Sequence, residues 1–110
     1  MPCSVKQMLT EARPEPAAYV LVGSRDQFMY KGSGRNFTKR LKDHSAGRVR
    51  FTKNRRPLQV LYVEYCPDYR TAQKREKFWK SGIGRQILKR WLAEDADDQA
   101  RVAEWQTQRT

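Results

Sequence analysis

Apolar positions divide the middle of the chain into short runs that are typical of β-strands. Residues 18–22 form an apolar run rich in strand formers, and residues 27–31 follow it after a turn-forming stretch, which predicts a β-hairpin. Residues 58–65 are almost continuously apolar, as in a strand that is buried on both faces. The pattern therefore predicts a sheet whose central strand is residues 58–65.

Helical spacing follows both the hairpin and the third strand. Asn36 is a good N-cap for a helix that Gly47 ends. Further helices are predicted over residues 71–80 and 85–92, separated by the glycine-rich break at 81–84. The order strand, strand, helix, strand, helix, helix predicts a small α+β domain with helices around a three-stranded sheet.

The chain of 110 residues is long enough for one domain with its own core. We expect that domain to span residues 18–92. Residues 1–17, broken by prolines, are expected to form an N-terminal tail that contains at most a short helix. Residues 93–110 are expected to form a polar C-terminal tail, whose Val102 and Trp105 are able to dock onto the domain.

A formal net charge of +11 makes a polyanionic partner the first expectation, because contacts with phosphates release condensed counterions. Residues 31–57 contain many lysines and arginines but a single acid, Asp43. Residues 70–90 are equally basic and contain a single acid, Glu76. This asymmetry predicts a basic face. An anionic membrane surface is the competing partner, but no long basic amphipathic helix supports it. We therefore expect nucleic acid, and no membrane.

Several other classes of protein are disfavoured by the sequence. The two cysteines lack the spacing of metal ligands, which argues against a structural zinc site, and free thiols in a reducing cytosol are the default. No apolar run approaches the length of a membrane span or of a signal peptide. Residues 32–34 are too short a glycine turn for a nucleotide-binding loop. We expect a cytoplasmic protein without a small-molecule cofactor.

Three polar residues have the chemistry that cleavage of a phosphodiester requires. Arg40 can neutralise the charge that develops on the phosphate oxygens, and His44, the sole histidine, follows it one helical turn later and can move a proton. Glu76, a lone carboxylate among cations, can hold a largely hydrated magnesium ion. The ordinary alternatives remain open, namely a surface arginine and histidine and an i,i+4 ion pair between Glu76 and Lys80.

Two tyrosines on the predicted hairpin are further candidates. Tyr19 and Tyr30 fall on neighbouring strands, where tyrosines usually serve packing, but a cationic surface lowers the pKa of a phenol and suits it to general base catalysis. We expect the following basic residues to contact phosphates, which position a nucleic acid without reading its sequence: Lys31, Arg35, Lys39, Arg48, Arg50, Lys53, Arg55 and Arg56.

These residues, in this order, resemble the GIY-YIG nuclease family over residues 18–92. The region of the first family motif reads Tyr19-Val20-Leu21, and the second motif reads Tyr30-Lys31-Gly32. The arginine and the histidine of the family's following helix match Arg40 and His44. The family's glutamate-bearing helix matches the segment 75–79, and residues 80–85 resemble the Lys-Ser-Gly-x-Gly-Arg ending of small bacterial stand-alone members.

The resemblance implies a three-stranded antiparallel sheet flanked by three helices, and cleavage of DNA that depends on one divalent ion, Mg²⁺ or Mn²⁺. It implies that Tyr30 is the base or proton acceptor and that Arg40 stabilises the phosphate. It implies also that Glu76 is the metal ligand and that His44 assists. Roles in DNA repair, recombination and degradation are all compatible with such an activity.

Two positions depart from the family pattern, and the asparagine that many members carry after the glutamate has no clear counterpart here. Leu21 stands where the first motif usually closes with tyrosine, and we expect Tyr19 to substitute only if the hairpin register shifts, since a slip of one residue turns a side chain to the other face. Lys31 replaces an apolar residue of the second motif. These departures leave an alternative function open, that of a catalytically impaired module that binds nucleic acid. A structural role in an RNA–protein assembly rests on size and charge alone.

Overall fold

The structure, a computed structural model, describes residues 3–23, 25, 28–94 and 101–104. In chain order the elements of this part are β1 (Cys3–Ser4), α1 (Val5–Leu9), β2 (Ala17–Gly23), β3 (Met29–Gly34), α2 (Phe37–Ser45), β4 (Leu58–Tyr65), α3 (Tyr69–Lys80), α4 (Gly82–Glu94) and β5 (Arg101–Glu104). A short 3-10 helix, Lys53–Arg55, lies between α2 and β4. The α+β class predicted from the sequence is confirmed.

The three predicted strands form the antiparallel centre of the sheet, in the order β4, β2, β3. The number of strands, however, was predicted too low. Along the outer edge of β4, β1 pairs antiparallel at Gln59 and Val60, and β5 pairs parallel from Tyr62 to Tyr65. The described sheet is therefore mixed and four strands wide, because two short segments from outside the predicted domain share one edge.

The three predicted helices are present as α2, α3 and α4, and two of them begin earlier than expected. Asp68 caps α3 by accepting a hydrogen bond from the Thr71 amide at 2.8 Å. The break before α4 is confined to Ser81, whose hydroxyl accepts from the Gly84 amide at 3.2 Å. A Cβ at Gly84 would lie 2.7 Å from Cα of Trp79, so glycine is what lets α4 start so close to α3.

A fourth helix, α1, lies within the segment that was expected to be a tail. Val5 and Met8 are one turn apart and both are buried, so α1 contributes to the core in spite of its five residues. Further along the same N-terminal segment, the Arg13 guanidinium pairs with the Glu104 carboxylate of β5 at 2.5 Å. The boundaries of the predicted domain stay a prediction, and Trp105 lies outside the described residues.

Helices cover both faces of the sheet. On one face, side chains of β2 such as Tyr19 and Leu21 pack with Phe37 and Leu41 of α2. On the other face, the core contains residues of β2 and β4 together with Trp79 of α3 and one leucine of α4. Strand β3 forms one edge of the sheet, so side chains from the helices on the two faces can come close to each other along this edge. No helix in the described part of the chain is long and apolar enough to cross a membrane.

Candidate active site

The two candidate tyrosines lie on one face of the β2–β3 hairpin. Tyr19 pairs with Gly32 and Leu21 pairs with Tyr30, so the two tyrosines are diagonal neighbours with ring centroids 6.3 Å apart. A Cβ at Gly32 would lie 2.7 Å from both the Tyr19 hydroxyl oxygen and the Tyr30 ring. Glycine at this position is therefore what allows both phenols to lie against the strand.

Helix α2 brings Arg40 and His44 to this hairpin. The predicted N-cap is confirmed, since the Asn36 side chain accepts from the Lys39 amide at 3.0 Å. Phe37 and Leu41 are buried on one side of α2 and fix the orientation of the helix about its axis. The adjacent side, which carries Arg40, is therefore turned towards β3. A Cβ at Gly34 would lie 2.5 Å from Cγ of Arg40, so the arginine stem packs directly on the end of β3.

His44 lies beneath the surface and is fully buried. Its Nε2 is 3.0 Å from the Tyr19 hydroxyl, and its Nδ1 is 2.8 Å from the Thr52 hydroxyl. Its ring also meets the Tyr30 ring edge-on, with centroids 5.1 Å apart. Burial and the nearby Arg40 guanidinium lower the pKa of His44 to about 4, so the imidazole is neutral at pH 7. Its partner Thr52 gave no signal in the sequence, because no spacing links it to the helix.

Arg40 and Tyr19 influence each other's protonation. Burial raises the pKa of Tyr19, and the Arg40 guanidinium beside the hydroxyl opposes that rise. Burial lowers the pKa of Arg40, but the two tyrosines and Asp43 outweigh it, and the pKa of Arg40 ends above its ordinary value. Tyr19 therefore keeps its proton, and Arg40 presents a permanent positive charge to the cluster.

Glu76 approaches the same strand from α3, on the other side of the sheet edge. Its Oε1 accepts from the Ser33 hydroxyl at 2.5 Å, and its Oε2 accepts from the Lys80 ammonium at 2.6 Å. The ion pair expected from helical spacing is thus present. Ser33 and Arg40 both line a cleft of about 440 Å³, which neither Tyr30 nor Glu76 lines. Glu76 therefore reaches the cleft only through its hydrogen bond with Ser33.

The donor set for a metal ion at this point is small. Among the described residues, no three His, Cys, Asp or Glu side chains cluster in a way that could enclose an ion. Glu76 is 24% exposed, so water reaches its carboxylate, and the Ser33 hydroxyl lies beside it. One carboxylate fits a divalent ion that keeps most of its water ligands, as Mg²⁺ does, and does not fit an ion held wholly by protein.

The predicted phosphate-binding residues near β3 divide between the cleft and the sheet edge. Arg35 and Lys39 line the cleft, and the Arg35 guanidinium lies 4.4 Å from the centre of the Tyr69 ring. Lys31 is half-buried on the side of the α3–α4 turn, where burial and the charges of Arg85 and Lys80 lower its pKa. These cations therefore extend on both sides of the strand end.

The basic loop between α2 and β4 contains cations with different roles. Arg48 pairs with Asp43 at 2.8 Å, and Arg56 donates to the main-chain carbonyls of Lys53 and Ser45. These two arginines stabilise the loop itself. Arg55 lies over the Phe28 ring at 4.0 Å. Two further cations of the loop are exposed on its surface, namely Arg50 and Lys53.

The comparisons with known proteins agree with the motifs. The model of the GIY-YIG catalytic domain matches residues 16–87. A UPF0213 protein of Desulfotalea psychrophila is 40% identical over 70 residues, which are 58% of this chain and 64% of that protein. A UPF0213 protein of Clostridium perfringens is 35% identical over 57 residues, which are 51% of this chain and 61% of that protein.

A UPF0213 protein of Bacillus licheniformis is 30% identical over 77 residues, which are 69% of this chain and 78% of that protein. The chain spans less than two thirds of the length of the first two of these curated relatives. No solved structure matches the chain. The matched domain covers most of the described core, and the predicted resemblance is confirmed: the chain belongs to the GIY-YIG family.

Proposed function

We propose that this protein is a divalent-metal-dependent endonuclease that cleaves phosphodiester bonds of DNA. Its family supports nuclease chemistry. The observation that carries the proposal is that Arg40 packs on the end of β3 while Ser33, in the same strand, holds the Glu76 carboxylate. A cation for phosphate thus lines the cleft, and a carboxylate for a metal ion is hydrogen-bonded to a residue that lines it.

Arg40 is the residue that stabilises the phosphate. Its side chain is 34% exposed and lines the cleft, so a phosphate oxygen can reach the guanidinium. The Asp43 carboxylate lines the same cleft and lies 3.7 Å from Nη1 of Arg40, so it pairs only loosely with the guanidinium. A fixed cation at the position where charge develops in the transition state is the most effective kind of electrostatic stabilisation.

We assign different roles to the two tyrosines. A group that takes a proton from water needs access to solvent, and Tyr30 is half-buried whereas Tyr19 is 1% exposed. Tyr30 is therefore the proton acceptor. Tyr19 holds Arg40 and His44 in place, because its hydroxyl touches both and its raised pKa keeps it protonated. His44, neutral and buried, is a positioning residue.

Tyr19 lies opposite the second motif without the shift in hairpin register that we expected to be necessary. The β2–β3 pairing is continuous from Ala17–Gly34 to Val22–Met29, and Tyr19 is already opposite Gly32 of the second motif. The Leu21 side chain packs in the apolar core. We therefore expect turnover in spite of the leucine.

Glu76 would hold the metal ion, and the Ser33 hydroxyl would orient its carboxylate. When bound, such an ion activates water and offsets charge on the scissile phosphate. The Lys80 ammonium on Oε2 would repel such an ion, so this ion pair would open as the ion binds. Exposed pairs of this kind contribute only about 0.3–0.5 kcal/mol, so the exchange costs little.

The direct test is nicking of supercoiled plasmid with Mg²⁺ or Mn²⁺, in parallel with EDTA, by the unaltered protein and by the Arg40→Ala and Glu76→Ala variants. The proposal expects nicking by the unaltered protein only, and only with the metal ion. Equal nicking by all three proteins would identify a contaminant and end the proposal.

A second function is favoured by one observation, namely that both carboxylate oxygens of Glu76 are engaged by donors of the protein itself. A catalytically impaired module that binds DNA would keep these contacts permanently. Such a module predicts salt-sensitive DNA binding, with a logarithmic slope of about −0.9 per phosphate contact, and no cleavage with any divalent ion.

A further inference from the structure

The basic loop between α2 and β4 presents one aromatic ring to solvent. Phe51 is 70% exposed, although its neighbours Val49 and Thr52 are buried. It is the only aromatic among the large apolar side chains that are strongly exposed in the described part of the chain, the others being Ile83 and Val102. Scattered exposed apolar residues are normal, so exposure alone decides nothing.

The position of Phe51 next to Thr52 is what gives the exposure meaning. The Thr52 hydroxyl is 2.8 Å from Nδ1 of His44, whose Nε2 contacts Tyr19. The Thr52 amide also donates to the Val49 carbonyl at 3.1 Å. Consecutive Cα atoms are about 3.8 Å apart, so the exposed ring is attached one residue from the polar cluster of the site. In this turn the Phe51 side chain faces solvent.

Cations flank Phe51 in the sequence. Arg50 precedes it and Lys53 follows two residues later, and both side chains are exposed. The combination of an exposed aromatic with flanking cations is the arrangement by which proteins bind unpaired bases, since the ring stacks on a base while the cations contact the adjoining phosphates. Intact duplex offers no base face to such a ring, because its bases are stacked on each other.

We propose that Phe51 stacks on an unpaired base of the DNA bound at the active site, so that the protein prefers DNA with a gap, a flap or a loop over intact duplex. The inference rests on the proposed function, because it requires DNA in the cleft. To that function it adds a class of substrate, DNA with unpaired bases, and the residue that selects it, Phe51.

The test measures affinity by fluorescence anisotropy, in EDTA so that nothing is cleaved, across a salt titration. The labelled DNAs are an intact duplex and a duplex of the same sequence with a short single-stranded gap. The proteins are the unaltered chain and the Phe51→Ala, Phe51→Trp, Lys53→Ala and Ile83→Ala variants. Ile83 is the matched control, since it is 65% exposed and apolar but lies in α4. Circular dichroism checks that each variant is folded.

Phe51→Ala should weaken binding to the gapped DNA about 5- to 150-fold, which is the loss of one stacked base. It should leave duplex binding within about twofold and leave the salt slope unchanged, because stacking releases no counterions. Phe51→Trp should restore the preference. Lys53→Ala should instead reduce the slope by about 0.7–0.9 on both DNAs, and Ile83→Ala should change neither quantity.

Two results would overturn the inference. Equal affinity of the unaltered protein for both DNAs, or equal weakening of both by Phe51→Ala, would show that the ring reads no unpaired base, while the nuclease proposal would stand on its cleavage assay. Absence of binding to either DNA would overturn the inference and the proposed function together.

Discussion

The Tyr19 hydroxyl lies 3.0 Å from Nε2 of His44, within the core. The contact joins the hairpin to α2 beneath the cleft, and Thr52 continues it to the basic loop through the other ring nitrogen. A buried polar chain of this kind fixes three segments relative to each other only while every member is hydrogen-bonded. The arrangement explains why a neutral imidazole lies among apolar side chains.

The first prediction concerns the protonation of His44. Because it is the sole histidine, the NMR signals of histidine ring protons belong to this residue and can be followed with pH. We expect a midpoint of about 4, since burial and Arg40 disfavour the imidazolium. A midpoint at or above 6 would place the ring in water and contradict the buried contacts.

The stability of the protein should depend on pH through the same residue. The folded-state pKa of about 4 lies below the ordinary value of 6.5, so the unfolded chain binds more protons between these values. The contribution of His44 is complete above pH 6.5 and is lost as the pH falls to 4, by about 3 kcal/mol. Urea unfolding of the protein and of His44→Gln should give different pH slopes there. Identical slopes would count against the assignment.

Gly34→Ala should displace Arg40 without unfolding the protein. The new methyl group would lie 2.5 Å from Cγ of Arg40, so the side chain must swing away from the strand. Misplacing a catalytic group by about 1 Å can cost about 100-fold in rate, and we expect a loss of that order in single-turnover cleavage. Gly82→Ala is the matched control, since a Cβ there meets nothing within 4 Å. Unchanged cleavage by Gly34→Ala would mean that Arg40 is not held by the strand.

Gly84→Ala should instead lower stability. A Cβ at Gly84 would overlap the Phe78 carbonyl oxygen and approach Cα of Trp79 to 2.7 Å, and backbone atoms cannot move aside as a side chain can. We expect the free energy of unfolding to fall by about 1–3 kcal/mol, measured by urea denaturation against Gly82→Ala. A variant as stable as the control would mean that the two helices separate at no cost.

Removal of the positive charge of Arg40 should reduce cleavage more than removal of the positive charge of Lys42. Arg40→Ala should reduce cleavage about 100- to 1000-fold, as expected for loss of one stabilising group at developing charge. Lys42→Ala removes the same charge from an exposed position of the same helix and should have little effect. Equal losses in the two variants would reduce the role of Arg40 to general attraction of DNA.

Much of the central fold was predictable because long elements carry their own pattern. Strand β4 matches the apolar run, and the Asn36 cap fixes the start of α2. In contrast, α1 and β5 have five and four residues, too few positions to show a period, and they are stable only through contacts with β4 and the core.

The candidate site was predictable as a set of residues but not as an arrangement. The spacing of Arg40 and His44 placed them on one side of a helix, and the hairpin brought the tyrosines together. Burial of His44, its contact with Thr52 and the structural task of Arg56 depend on segments that meet only in three dimensions. Spacing along the chain carries no information about such contacts.

The most direct test of the account is the separation of binding from cleavage in Glu76→Gln. Glutamine preserves the shape of the side chain and an oxygen for the Ser33 hydroxyl, but it removes the charge that would hold a divalent ion. We predict that plasmid cleavage with Mg²⁺ is abolished while DNA affinity in EDTA is unchanged or higher. Cleavage by Glu76→Gln at the rate of the unaltered protein would contradict the account.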